Sequence, residues 1–330
     1  MICGNWLSQC IYVTVKLKIA DHLSETKGQT LKNISELTMT DMGVLSRLLA
    51  ILCEFKLCQE IGDQFYLTEM GTLLQSNNPD SLYAYVVLNQ ELYTKLWNGL
   101  SDSLKTGEPA YKTILGADFF SSLNQKYPDQ AEWYNKAMDQ KYKEHNSAIA
   151  RSYKDFPQFK TIVDVGGGIG GLLFTILKQH PHLNGTLYDL PHVISSASAK
   201  SNGQVAELKT SFMEGDFFQS IPKTETPTLY IMKAVLHDWD DEKALLILNN
   251  CRNVMKEGDA LLIIEKALAD NEKRAHKPLM DMHMYLIHGG NERTLANLIN
   301  LISKAGFNVN KQIENINDET KLIEAKPEKY

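Results

Sequence analysis

The chain has 330 residues, 43% hydrophobic and 22% charged, with a formal net charge of −6. That is an ordinary soluble composition of about two domains, and its acidic balance argues against a nucleic-acid partner, which calls for clustered Lys and Arg. No stretch reaches the ~20 consecutive apolar residues of a membrane span, and the start lacks the basic region and cleavage site of a secretory signal. The five cysteines (Cys3, Cys10, Cys53, Cys58, Cys251) have no zinc spacing. A reducing, cytoplasmic setting is therefore expected.

Residues 1–100 read as mostly helical. A short helix is expected near 34–37 and a second from Asp41, its N-cap. In the second, Leu45, Leu48, Leu49, Leu52 and Phe55 recur at three- and four-residue intervals, giving one apolar face. IGDQFYLT then reads as a hairpin turning at Gly62 and Asp63. Helix, turn, helix and wing make a winged helix, a shape that suggests DNA binding. Against that stand seven Lys and Arg to ten Asp and Glu over residues 1–100. The candidate recognition helix also offers only Arg47 among leucines. Packing or dimerisation is the expected role.

Residues 103–155 are helical and rich in aromatics and lysine. Phe119, Phe120, Trp133 and Met138 are candidates for lining a pocket, although an aromatic helix face also serves as core. From Thr161 the pattern changes. TIVDVGGGIGG is a buried strand entering a glycine turn, LLFTILKQHP a helix, and NGTLYDLP, TPTLYIMKAVL and ALLIIEKAL further strands. Helical stretches such as DEKALLILNNCRNVM alternate with them. The alternation predicts an α/β fold with a doubly wound, parallel sheet. The terminal EAKPEKY reads as a frayed end.

Gly166, Gly168 and Gly171 satisfy G-x-G-x-x-G after a strand, and Asp189 at the end of the next strand suits ribose hydroxyls. That is the fingerprint of a nicotinamide dinucleotide, but it fits any nucleoside on a doubly wound sheet. Asp164, just before the glycines, offers a carboxylate to an amino-acid ammonium. Asp216 in GDFF offers a carboxylate and a neighbouring ring to an adenine. Lys233 and Trp239 supply further groups around the same crevice. An adenosine ligand bearing an amino acid fits these better than a pyrophosphate.

His237 follows the strand that ends at Lys233, in IMKAVLHDWDDEK. It is open to three readings: a base, a metal ligand, or a capping residue at a strand-to-helix junction. Asp281, His283 and His288 in DMHMYLIH raise the metal reading. The two histidines are five apart, however, not the i, i+4 spacing that shares a helical face, and no metal is expected. Met284 serves either an acceptor pocket, where a thioether suits flat aromatics, or the core. Asp238 is expected to cap the following helix or to hold the loop.

The segments VDVGGGIG, YDLPHVI, GDFF, LHDW and GGNERT occur in a particular order. It resembles that of S-adenosylmethionine-dependent O-methyltransferases of the acetylserotonin and plant caffeate or flavonoid type, and of bacterial relatives acting on natural products. The match runs through the second half, and the winged-helix half resembles that family's dimerisation domain. The resemblance implies a dimerisation domain over 1–100, then linker helices and a Rossmann-like class I methyltransferase domain over 101–330. It implies that Gly166 and Gly168 approach the cofactor, Asp189 takes the ribose, Asp216 and Phe217 flank the adenine, Lys233 contacts the cofactor and Trp239 packs near the adenine. Gly170 and Gly171 are left to helix–strand packing. It further implies His237 as the base, flanked by Glu265 and Glu292, with S-adenosylmethionine as donor, S-adenosylhomocysteine as product, and a homodimer. The family's helices ahead of the winged helix, which help its dimer interlock, are mostly missing here, and a dimer is expected all the same.

Methyl transfer from a sulfonium is an in-line displacement, so the protein has to align the acceptor and take its proton. A phenol with a pKa of about 10 is little ionised at pH 7, and a positioned histidine contributes ~10²–10⁴-fold. The expected reaction is O-methylation of a phenolic hydroxyl on a small aromatic molecule, with Trp133, Met138 and Met284 lining its pocket. Two readings compete. A nicotinamide oxidoreductase would need Asp189 but gives Asp216 and Glu292 no special role. A non-catalytic winged-helix regulator, sensing a ligand through its α/β half, would bind DNA in a salt-dependent way.

Overall fold

Leu45, Leu49 and Leu52 form the inward stripe of the helix Met42–Glu54 and bury with Val15, Ile19 and Ile34. The Asp41 carboxylate accepts the Val44 amide at 2.9 Å, which caps that helix and fixes where it begins. Helix Leu31–Thr38 precedes it, and the hairpin Cys58–Ile61 with Gln64–Leu67 follows, turning on Gly62 at φ +65. Helix Gly4–Lys16 lies ahead of these elements. Phe55 departs from the expected stripe: at 48% exposure it sits at the C-cap, past the last helical residue, where the helical period no longer turns its ring inward.

These elements belong to a computed structural model that describes residues 3–116, 119–201, 207–267, 278–313 and 320–328. The chain divides into two units, Met1–Lys95 with Tyr127–Lys141, and Leu96–Lys126 with Tyr142–Tyr330. Helix Pro128–Ser152 runs from the first into the second. Trp133 lies on its first part and packs against the N-terminal core, its ring 5.4 Å from that of Tyr83. Met138 follows in the same unit, half-buried.

The second unit is built on strands we number β1 (Thr161–Val165), β2 (Asn184–Asp189), β3 (Thr210–Glu214), β4 (Thr228–Lys233), β5 (Ala260–Lys266), β6 (Phe307–Ile313) and β7 (Thr320–Pro327). Their order in the sheet is β3-β2-β1-β4-β5-β7-β6. The first five are parallel, whereas β7 runs antiparallel to both neighbours. The expected parallel, doubly wound sheet is thus extended by an antiparallel strand next to one edge. Alternate residues serve opposite faces. Val163, Val165, Tyr230, Met232, Leu261 and Ile263 enter one core, and Ile162, Leu229, Ile231, Leu262 and Ile264 the other. Strands covered on both faces read as continuous apolar runs, as these do.

The C-terminal expectation was wrong. Glu324 to Pro327 lie in β7, inside the sheet, rather than in a frayed end; Lys329 and Tyr330 lie outside the described residues. Buried Glu324 is held there by Tyr153, whose hydroxyl donates to Oε2 at 2.6 Å, and by Asn310, whose Nδ2 donates to Oε1 at 2.6 Å.

Candidate active site

In an open α/β sheet ligands lie beyond the carboxyl ends of the strands, where the strand order reverses. Here that point falls between β1 and β4. Gly166 follows β1, Asp189 ends β2, Asp216 comes two residues after β3, Lys233 ends β4, and Glu265 is the penultimate residue of β5. The fold therefore brings these sequence-selected residues to one end of the sheet.

Gly166 and Gly168 have φ of +69 and +60, the left-handed region that glycine enters without strain. A Cβ at Gly166 would meet Val235 at 3.0 Å and Phe217 at 3.5 Å, while one at Gly168 would meet nothing within 4 Å. The second glycine thus presents bare backbone to open space. Asp189 is tied to the same loop, Oδ2 accepting the Gly168 amide at 2.8 Å and Oδ1 the Leu190 amide at 2.7 Å. Burial pushes its carboxyl up to about 6 against those two amides.

Asp164 is 1% exposed, and its Oδ2 has no hydrogen-bond partner in the described structure. Burial, with a smaller push from Asp189, raises it to about 7 although the Lys233 ammonium and a hydrogen bond from the Leu173 amide oppose. A buried carboxylate oxygen left unpaired is costly, and a ligand ammonium has the charge and donors to satisfy it. Lys233 donates to Asn146 Oδ1 at 2.8 Å and lies 4.2 Å from the centre of the Tyr142 ring. Asp216 folds its own turn, Oδ1 accepting the Phe218 amide at 2.8 Å. Phe217, Phe218 and Trp239 cluster, with ring centres 4.7 Å apart for Phe218 and Trp239 and 6.1 Å for Phe217 and Trp239. Orphaned acid, bare glycine backbone and aromatic cluster together fit a nucleoside that carries an amino acid.

His237 stands on a short turn, Leu236–Asp238, four residues past β4. Its side chain is 14% exposed, so a ligand can reach it. Nδ1 is 3.4 Å from Glu292 Oε1, and Nε2 is 3.5 Å from Asp238 Oδ1. Glu265 is 3% exposed and supports the turn from beneath: Oε1 accepts the Val235 and Leu236 amides at 3.0 and 2.8 Å. Burial by itself would lower the His237 pKa, but Glu265, Asp238 and Glu292 outweigh it and push it up to about 10. Burial, opposed by His237, raises Asp238 to about 7 and also raises Glu265.

Of the two roles expected for Asp238, capping the next helix or holding the loop, the first falls to another residue. Asp240 caps the helix, accepting the Lys243 amide at 2.9 Å, while Asp238 turns inward between His237 and His288, with 3.7 Å to His288 Nε2. The ring of His288 is flanked by Phe119 and Phe120 at 4.5 and 5.2 Å. His283 instead accepts from the Trp97 indole at 3.1 Å, and Asp281 takes the Glu292 amide at 3.2 Å. Met284 is buried in this unit. Trp133 and Met138 belong to the N-terminal one.

Sequence reasoning passed over Asn146, Gly290 and Arg293. Arg293 is 6% exposed and donates to the Leu236 carbonyl at 2.7 Å, the Trp239 carbonyl at 2.8 Å and Asp241 at 2.8 Å. Its partners are mostly main-chain oxygens, which leave no pattern in sequence; the available signal was an arginine directly after Glu292 in GGNERT.

A family model for the O-methyltransferase domain matches residues 97–308, and one for the O-methyltransferase dimerisation domain matches residues 1–77. The phenazine O-methyltransferase PhzM of Lysobacter antibioticus is 30% identical over 328 residues, 99% of this chain and 94% of that one. The solved structure of LaPhzM has a TM-score of 0.91 at 30% identity and covers 99% of this chain and 97% of its own. The O-methyltransferase NcsB1 from neocarzinostatin biosynthesis was solved with S-adenosylmethionine and 2-hydroxy-5-methyl naphthoic acid. It has a TM-score of 0.80 at 28% identity, with 97% and 96% covered. On these matches, the chain belongs to the O-methyltransferase family, as an S-adenosylmethionine-dependent enzyme with that family's dimerisation domain at its N-terminus.

Proposed function

We propose that this enzyme methylates a phenolic hydroxyl of a small aromatic molecule, with His237 as the base. The observation that carries the reading is the imidazole of His237, reachable from solvent, with Glu292 at Nδ1 and its turn fixed by Glu265. Glu292 stabilises the imidazolium formed when the ring takes the hydroxyl proton. Glu265 holds the ring's mount through two backbone amides, and its negative charge adds to the field that favours the imidazolium. The donor supplies an activated methyl on a sulfonium. Asp164 would take its ammonium, Asp189 its ribose, and Asp216, Phe217 and Trp239 the adenine end, with Gly166, Gly168 and Lys233 lining the approach.

An aromatic acceptor is supported by Phe119, Phe120 and Met284 in the same unit as His237, and by the naphthoic acid in NcsB1 and the phenazine in the PhzM name. The N-terminal unit pairs with a second copy of the chain, consistent with the dimerisation match and with apolar residues exposed on its surface. The test is S-adenosylhomocysteine formation, and mass gain of the acceptor, with hydroxyphenazines and hydroxynaphthoates as probes. Wild type should methylate at least one oxygen, and His237→Ala should lose ~10²-fold or more. A His237→Ala variant of unchanged kcat would remove the base from this account.

A further inference from the structure

The turn that carries His237 is gripped on every side. Glu265 takes its amides at Val235 and Leu236. On the opposite side lies the segment 289–293, which approaches backbone to backbone. A Cβ at Gly290 would stand 2.0 Å from the His237 carbonyl oxygen and 2.6 Å from the Asp238 carbonyl carbon, so only glycine fits. The Asn291 amide donates to that same His237 carbonyl at 3.1 Å, and the Glu292 amide donates to Asp281. Arg293 closes the grip. Its Nη1 and Nη2 reach the carbonyls of Leu236 and Trp239, one on each side of His237, and Nε reaches Asp241 in the first turn of helix Asp241–Val254.

We propose that Arg293 is a positioning residue for methyl transfer: its buried guanidinium bridges both ends of the His237 turn, docks that turn on the segment bearing Glu292, and so keeps the imidazole against the Glu292 carboxylate. The assignment rests on reading His237 as the base. Arginine is suited to the task because its planar fork presents donors in fixed directions to three acceptors at once. A lysine ammonium keeps the charge but is a compact head that does not reproduce that fork. Glu292 and Arg293 are adjacent, so the residue that holds the ring and the residue that holds its mount move together.

A purely structural arginine would leave the imidazole–carboxylate coupling untouched, and the titration of His237 separates the two roles without needing an acceptor. The groups facing His237 are Glu292 at Nδ1, Asp238 at Nε2 with His288 behind it, and Glu265 below the turn. The experiment is NMR titration of histidine ring ¹³Cε1 signals in the S-adenosylhomocysteine complex, with His237 assigned by its absence in His237→Gln. Glu292→Gln should move the His237 midpoint down by on the order of one pH unit, as loss of a nearby opposite charge does. Arg293→Lys, with charge retained, should move it in the same direction. The double variant should titrate no lower than Glu292→Gln alone, because both changes break one coupling. An unshifted midpoint in Arg293→Lys, or shifts that add in the double variant, overturns the proposal.

Asp241→Ala guards against misfolding of the lysine variant. Asp241 is 70% exposed and anchors only the outer edge of the guanidinium. A smaller downward shift is expected there, and no shift counts against the proposal as an unshifted lysine variant does. If the coupling is found but no phenol is methylated, the chemistry proposed above fails while the clamp stands.

Discussion

Both ring nitrogens of His237 face carboxylates, and the net charge of that cluster decides which protonation state waits for the acceptor. With the ring pushed up to about 10, the resting enzyme holds an imidazolium at neutral pH. A phenol with a pKa of about 10 also arrives protonated. The reacting pair must have shed one of those two protons, whether it is written as phenol with imidazole or as phenolate with imidazolium. The kcat/KM for a phenolic acceptor should therefore climb about tenfold per pH unit between 7 and 9. Initial rates of S-adenosylhomocysteine formation across that range check it, and a flat profile would mean that the resting ring is neutral. The linked stability has the same sign. A raised histidine pKa lends stability fully below the unfolded value of about 6.5 and loses it as pH approaches the folded value. Asp164 shows the opposite case. Its carboxyl, raised to about 7, binds more protons folded than unfolded, so it lowers stability progressively from about pH 4 to pH 7. Asp164→Asn should then raise the melting temperature of the cofactor-free protein at pH 8 by on the order of a few degrees, and the gain should shrink at pH 5. The same variant should weaken S-adenosylmethionine binding by calorimetry. A variant less stable than wild type at pH 8 would show that the hydrogen bond from the Leu173 amide outweighs the cost of the buried charge.

At the scale of elements, the C-terminal strand carries the test. β7 brings a glutamate into the sheet, and two hydrogen bonds, from Tyr153 and Asn310, accept that burial. Tyr153→Phe leaves the carboxylate half-satisfied and should cost about 1–3 kcal/mol in urea unfolding, with kcat unaffected. A cost near zero would mean that water replaces the hydroxyl. This strand also marks where reading from sequence stops. ALLIIEK and TLYIMK announced themselves because strands covered on both faces bury every side chain but the terminal lysine. TKLIEAKP mixes lysines and a glutamate with its apolar residues, and its partners lie 171 and 14 residues away in the chain. The site divides along the same line. His237, Glu265, Glu292 and the glycine loop could be singled out because their segments arrive in a fixed order that resembles a known family; each alone is an ordinary strand-end or loop residue. Arg293, Gly290 and Asn146 were not, because what they do depends on which main-chain atoms and side chains the fold carries to them. Asp238 stayed open between cap and loop-holder because three acids stand in DWDD, and only the φ and ψ of Asp240 decide which one begins the helix.

At the scale of the whole molecule, the outward side of helix Met42–Glu54 is the feature that a solitary chain does not explain. Leu45, Leu49 and Leu52 satisfy the unit's own core, yet Val44 is 68% exposed and Ile51 37% on the same helix, with Met39 at 94% and Ile61 at 58% elsewhere in the unit. Val44 and Ile51 lie seven residues apart on one side of the helix, as a surface for another protein would need, and the match to the family's dimerisation domain over residues 1–77 supports the proposal that this partner is a second copy. In a two-fold pair the same patch serves both subunits, so one charge introduced by mutation appears twice and faces its own image or its neighbours. Val44→Asp should therefore break the pair without disturbing the fold, because the side chain it replaces touches solvent rather than core. Sedimentation at micromolar concentration should move from twice the chain mass to 37.3 kDa, with the thermal transition of the isolated chain still cooperative. If the variant sediments at the doubled mass, the subunits meet through a different surface, and the exposed residues of this helix need another occupant. If it becomes monomeric and still binds S-adenosylhomocysteine, the donor site is complete within one chain, as the placement of Gly166, Asp164, Asp189 and Lys233 on a single sheet requires.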